Sequence, residues 1–88
     1  AQQKIKNLAL GDVLARTAET LLRLGRENGR PQADGSIVIT LDLSRQELAN
    51  LVGTTRETVT RTLSALKKDK IVGFTGDKLV ILKPDELR

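Results

Sequence analysis

Apolar positions recur along this chain in two different rhythms, and the changes between them mark its elements. Residues 2–10 (QQKIKNLAL) carry Ile5, Leu8 and Ala9 at helical spacing and read as the tail of a longer helix. Gly11-Asp12 interrupts that pattern, the glycine as punctuation and the aspartate as an N-cap. From Asp12 a second helix is predicted, with Leu14, Ala18, Leu21 and Leu22 as its apolar stripe and Val13 and Leu24 at the margins. Arg16, Glu19 and Arg23 then face water, and the Gly25 to Gly29 region ends the helix. Residues 29–36 (GRPQADGS) have the composition of a loop or tight turn. Beyond them Ile37, Ile39, Leu41 and Leu43 alternate with Val38, Thr40 and Asp42, the period of a half-buried strand, expected as the outer arm of a small sheet.

Ser44-Arg45-Gln46-Glu47 is a capping box, the serine hydroxyl taking the amide of residue 47 and the glutamate reaching back to the amide of residue 44. A short helix over 45–52 is predicted to bury Leu48, Leu51 and Val52, with Gly53 suited to a left-handed terminus. Ala49 is small enough to let another helix cross closely. Thr54 and Thr55 both qualify as N-cap of the next helix, residues 55–68. Two short helices joined by a glycine-containing turn form a helix-turn-helix pattern. Ile71-Val72 and the run from Leu79 to Leu82 are strand candidates around a Gly76-Asp77 type II′ turn, and Pro84 opens a last helical turn. The order helix, strand, helix-turn-helix and hairpin reads as a winged helix.

Composition narrows the chemistry. The 88 residues contain no Cys, His, Met, Trp or Tyr, and Phe74 is the sole aromatic. Thiol nucleophiles, Ser-His-Asp triads and zinc sites of the usual ligands are therefore excluded, as is an aromatic platform for single-stranded nucleic acid. No enzyme constellation is left. No apolar run is long enough to span a membrane. The opening Ala-Gln-Gln-Lys reads as a piece of a longer protein. The formal charge of +4 is uneven: residues 1–43 hold six basic and five acidic side chains, residues 44–88 nine and six.

On a helix over 55–68, Val59, Leu63 and Leu66 share one face, while Glu57, Arg61, Ser64 and Lys68 cluster nearly opposite with Thr60 beside them. Arg56 stands in the first turn, able to project past the helix end. Arginine can donate two hydrogen bonds to guanine O6 and N7, and glutamate can accept from cytosine N4, so this face has the groups that read G·C pairs in a major groove. The plainer readings stand beside this one. Glu57 also fits a capping box from Thr54, Arg56 and Arg61 also fit a solvated face, and Lys67, Lys68 and Lys70 also suit the negative end of a helix.

The string LSRQELANLVGTTRETVTRTLSALKKDKIV resembles the helix-turn-helix signature of the Crp/Fnr family of bacterial transcription regulators. NLALGDVLARTAETLLRL is similar to the end of that family's dimerisation helix, its hinge and the first helix of its DNA-binding domain. The resemblance implies an α+β winged helix-turn-helix, three main helices with a small antiparallel sheet and wing, over residues 12–88, preceded by the end of the dimerisation helix and hinge over residues 1–11. It implies a cytoplasmic homodimer, activator or repressor, on double-stranded DNA with inverted-repeat half-sites. No cofactor is expected in these residues, the effector belonging to an N-terminal domain. By resemblance Arg56, Glu57 and Arg61 read bases with Thr60 lining the same groove. Arg45, Thr55 and Thr58 hold phosphates, with Gly76 and Lys78 of the wing close to the backbone. Arg56 together with Arg61 is similar to the branch reading TGTGA-type half-sites. Thr60 departs from the catabolite-activator branch, which has glycine there, and Thr62 is polar where that branch is aliphatic. The loop around 25–35 is where some relatives touch RNA polymerase. Two rival readings remain: a winged helix for protein–protein contact, and a sequence-indifferent nucleic-acid binder.

Overall fold

The computed structural model describes residues 11–40, 42–76 and 78–87. The expected tail of a longer helix at residues 2–10 lies outside them, as do Leu41 of the expected strand and Asp77 of the expected turn.

Helix α1, Gly11–Asn28, buries Leu14, Ala18 and Leu21 and leaves Leu22 and Leu24 partly covered, the stripe its spacing implies. Asp12 lies in its first turn rather than at its N-cap, still on the end where a carboxylate favours the helix dipole. Thr17 and Thr20 are also buried on this helix, each hydroxyl donating to the carbonyl four residues back, to Val13 at 2.7 Å and Arg16 at 2.8 Å. The helix ends at Asn28, inside the Gly25 to Gly29 region expected to end it, with Gly25 still helical.

Strand β1, Arg30–Pro31, leads through a turn to β2, Ile37–Thr40. Asp34 Oδ1 organises the turn, accepting from the Ser36 amide at 3.0 Å and the Ser36 hydroxyl at 2.7 Å while Gly35 takes φ 92°. These bonds hold the Asp34 carboxyl below its usual range. Their support is present above the ordinary carboxylate pKa and is lost as pH falls through the lowered one.

Helix α2, Arg45–Val52, and helix α3, Arg56–Lys68, follow, then the hairpin β3, Val72–Thr75, and β4, Lys78–Ile81, and a final turn α4, Pro84–Leu87. The sheet order is β1-β2-β4-β3, all antiparallel. Strand β2 is thus interior, not the outer arm, because β1 covers its second edge. A two-residue strand has no periodicity to read, and Pro31 is tolerated there because the strand is at the edge. The described part of strand β2 is Ile37–Thr40, and Asp42 and Leu43 of the expected strand do not belong to it. Its last described pair is Thr40 with Lys78.

The capping box forms as expected: Ser44 Oγ accepts from the Glu47 amide at 3.1 Å, and Glu47 Oε1 from the Ser44 amide at 2.9 Å. Gly53 ends α2 at φ 89°, its amide donating to the Ala49 carbonyl at 2.8 Å. Leu48, Ala49 and Val52 are buried, whereas Leu51 is 48% exposed, against expectation. Leu48, Ala49 and Val52 share one arc of the helix, and Leu51 lies about 100° from the middle of that arc on the helical wheel. Helix α3 ends through Lys70, whose φ of 59° lets the Ile71 amide reach the Leu66 carbonyl at 2.9 Å.

One core joins the three long helices to Ile39, Val72, Leu79 and Ile81 of the sheet, with Leu87 closing it from α4. Val59, Leu63 and Leu66 face it from α3, together with Thr62. Thr62 Oγ1 donates to the Thr58 carbonyl at 2.8 Å, so the polar substitution is satisfied within its own helix. That carbonyl is already engaged by the helix ladder. Thr62→Val should therefore raise stability by about 0.5–1 kcal/mol, read as a later urea midpoint. An earlier midpoint would show that the hydroxyl contributes more than its local bond.

Candidate nucleic-acid interface

The inward stripe of α3 fixes what faces outward. Arg56, Glu57, Thr60 and Arg61 are all exposed and, with Ser64, line one shallow concavity on the solvent side of the helix. None of the five makes a hydrogen bond or ion pair with another described residue. Two guanidinium groups, a carboxylate and two hydroxyls are thus left facing outward. The structure brings together all four residues expected to read bases, and it adds Ser64, which the helical wheel had placed on the same arc.

Thr55, not Thr54, is the N-cap of α3, in extended backbone at φ −88° and ψ 159°. That choice makes Thr58 the third helical residue, so Glu57 is not part of a capping box and its carboxylate is not engaged at the helix end. Thr55 Oγ1 accepts from the Thr58 amide at 3.2 Å and lies 2.9 Å from Thr58 Oγ1. Whichever of the two hydroxyls donates to the other, one O–H remains for an acceptor outside the domain.

Gly76 has φ 63°, and Thr75 pairs with Lys78, so a two-residue connection presents the exposed Lys78 at the end of the hairpin. Arg45, the first residue of α2, is half-buried, with its guanidinium carbon 5.0 Å from the centre of the Phe74 ring.

One contributor was not legible in the sequence. Arg16 reads as a solvated residue of α1, yet its Nε donates to the Val52 carbonyl at 3.1 Å and its Nη2 to the Gly53 carbonyl at 3.3 Å. It thereby places a cation on the negative end of α2 and ties α1 to the turn that leads into α3. Arg16→Ala should lower the unfolding free energy by about 1 kcal/mol, read in urea denaturation. No loss would mean that water serves these carbonyls equally well.

Comparison with known proteins agrees with this geometry. The model of the Crp-like helix-turn-helix domain matches residues 15–88. The chain belongs to that family. It is 41% identical over 83 residues to the global nitrogen regulator of Nostoc sp. (strain PCC 7120), covering 94% of this chain and 37% of the relative. It is 35% identical over 80 residues to the cAMP-activated global transcriptional regulator CRP of Salmonella typhimurium, covering 90% of this chain and 37% of that protein. Among solved structures, the CO-dependent transcription factor CooA from Carboxydothermus hydrogenoformans superposes with a TM-score of 0.80 at 31% identity, over 94% of this chain and 38% of that one. Oxidised CprK in complex with o-chlorophenolacetic acid superposes with a TM-score of 0.75 at 25% identity, over 85% of this chain and 31% of that one. The chain therefore spans between 31% and 38% of the length of these relatives. As a Crp-family member it is a winged helix-turn-helix DNA-binding domain of the transcription-regulator type, with α2 and α3 as the two helices and β3–β4 as the hairpin beside them.

Proposed function

We propose that this domain reads double-stranded DNA for an effector-responsive, dimeric regulator, laying α3 in the major groove of a TGTGA-like half-site. The observation that supports it is the exposed group of Arg56, Glu57, Thr60 and Arg61 on α3, with no partner among the described residues. Arg56 and Arg61 would donate to guanine edges and Glu57 accept from cytosine, with Thr60 lining the same groove. Arg45, the Thr55–Thr58 hydroxyl pair, Gly76 and Lys78 would meet the phosphate backbone, which sets register and salt dependence rather than sequence choice. Two copies related by a two-fold axis would occupy successive major grooves about 34 Å apart. The effector would bind a further domain; the CRP and CooA relatives are named as cAMP-activated and CO-dependent.

Fluorescence anisotropy of labelled duplexes at two salt concentrations tests the reading. One duplex carries inverted TGTGA-type half-sites, the other a scrambled sequence of equal composition. A preference of about tenfold or more for the matched duplex, with both affinities falling as salt rises, is expected. Equal affinities would discard the half-site and leave a sequence-indifferent binder. No binding at low salt would overturn the proposal.

A further inference from the structure

Arg45 sits in an unusual place for a cation. It is the first residue of α2, where exposed main-chain N–H groups already make the potential positive. The cap itself is complete without it, since Ser44 and Glu47 satisfy each other's amides. Arg45 is half-buried, yet it makes no hydrogen bond or ion pair with any described residue. Its contact is with the Phe74 ring, 5.0 Å from the guanidinium carbon. Phe74 is the chain's only aromatic residue.

We propose that Phe74 is a positioning residue: its ring holds the Arg45 guanidinium at the junction of α2 and the wing so that the N–H donors meet a DNA phosphate. The inference rests on the reading of Arg45 as a phosphate contact given above. Phe74 packs against the core and pairs with Leu79 across the hairpin, so its ring is anchored by the fold and not by Arg45. An aromatic face attracts the cation but offers no acceptor in the plane of the N–H groups. A carboxylate in the same place would neutralise the charge and occupy those donors. The ring therefore orders the long side chain before DNA arrives, while leaving its hydrogen-bonding capacity for phosphate. The next residue of the strand, Thr75, pairs with Lys78, so one hairpin also sets the spacing between Arg45 and the wing cation.

The test is a double-mutant cycle read by anisotropy on the matched and scrambled duplexes. Phe74→Leu keeps an apolar side chain and removes the ring, Phe74→Tyr keeps the ring, and Arg45→Ala removes the cation. Phe74→Leu is expected to weaken binding about two- to fivefold on both duplexes, Phe74→Tyr to bind as the parent does, and Phe74→Leu to add nothing in the Arg45→Ala background. An equal loss from Phe74→Leu with and without Arg45 would overturn the positioning role, as would no loss while Arg45→Ala weakens binding. If Arg45→Ala leaves affinity unchanged in a chain that binds DNA, the phosphate reading of Arg45 fails first. An independent check needs no variant: ring-current shifts on the Arg45 side-chain protons of the parent chain. Their absence in a proton NMR spectrum would also overturn the proposal.

Discussion

Gly29→Ala is expected to lower the unfolding free energy by about 3 kcal/mol, a large part of the stability of an 88-residue domain. Gly29 stands between the end of α1 and β1, with its amide donating to the Gly25 carbonyl at 2.9 Å. A β-carbon there would collide with that same Gly25 carbonyl oxygen and come within 2.5 Å of Ile37 Cγ2. Main chain cannot swing aside as a side-chain end can, so the helix end or strand β2 must shift. Gly25 is the control. A β-carbon at that position meets Ile81 Cδ1 at 3.4 Å and Ile37 Cγ2 at 3.5 Å, which is ordinary contact. Gly25→Ala also removes a glycine from a helix interior, so it should be neutral or stabilising by up to about 1 kcal/mol. Urea denaturation of the two variants separates them. A Gly29→Ala midpoint equal to the parent's would show that the α1–β1 corner relaxes freely.

These two glycines also show where sequence reading stops. Both lie in the same stretch, and only the folded packing shows that a β-carbon has room at Gly25 and none at Gly29. What was legible depended on partners a few residues apart. The Ser44–Glu47 box, the left-handed Gly53 and the Val59–Leu63–Leu66 stripe are all local, and all appear as expected. The polar face of α3 was legible for the same reason, because burying one stripe of a helix dictates the opposite one. Where the outcome depended on distant chain, the pattern was silent. Arg16 finds its acceptors 36 and 37 residues away. Leu51 is exposed because α2 buries the arc of Leu48, Ala49 and Val52, and β1 forms on the edge that β2 offers it. The meeting of Arg45 and Phe74 needs the hairpin to fold back beside α2, which no window of sequence contains.

Arg61→Ala is expected to weaken binding to the matched duplex by about 1–3 kcal/mol, roughly five- to 150-fold, with a much smaller loss on the scrambled one. The reason is geometric. Arg61 lies one helical turn beyond Glu57 on the outward face of α3, exposed and without a partner among the described residues. Its removal leaves no buried group unsatisfied in the free domain, so the urea midpoint should stay within the scatter of surface substitutions. Any loss of affinity then belongs to the complex. A base contact and a phosphate contact differ in the form of that loss. Removing a bidentate bond to guanine relaxes discrimination at one G·C pair, and substituting that pair in the parent complex should have the same effect without adding to the mutation. Lys78→Ala supplies the contrasting pattern, weakening matched and scrambled duplexes alike and reducing the salt slope by about one counterion. If Arg61→Ala followed the Lys78 pattern, the guanidinium would be holding backbone, and sequence choice would have to come from Arg56 and Glu57 alone.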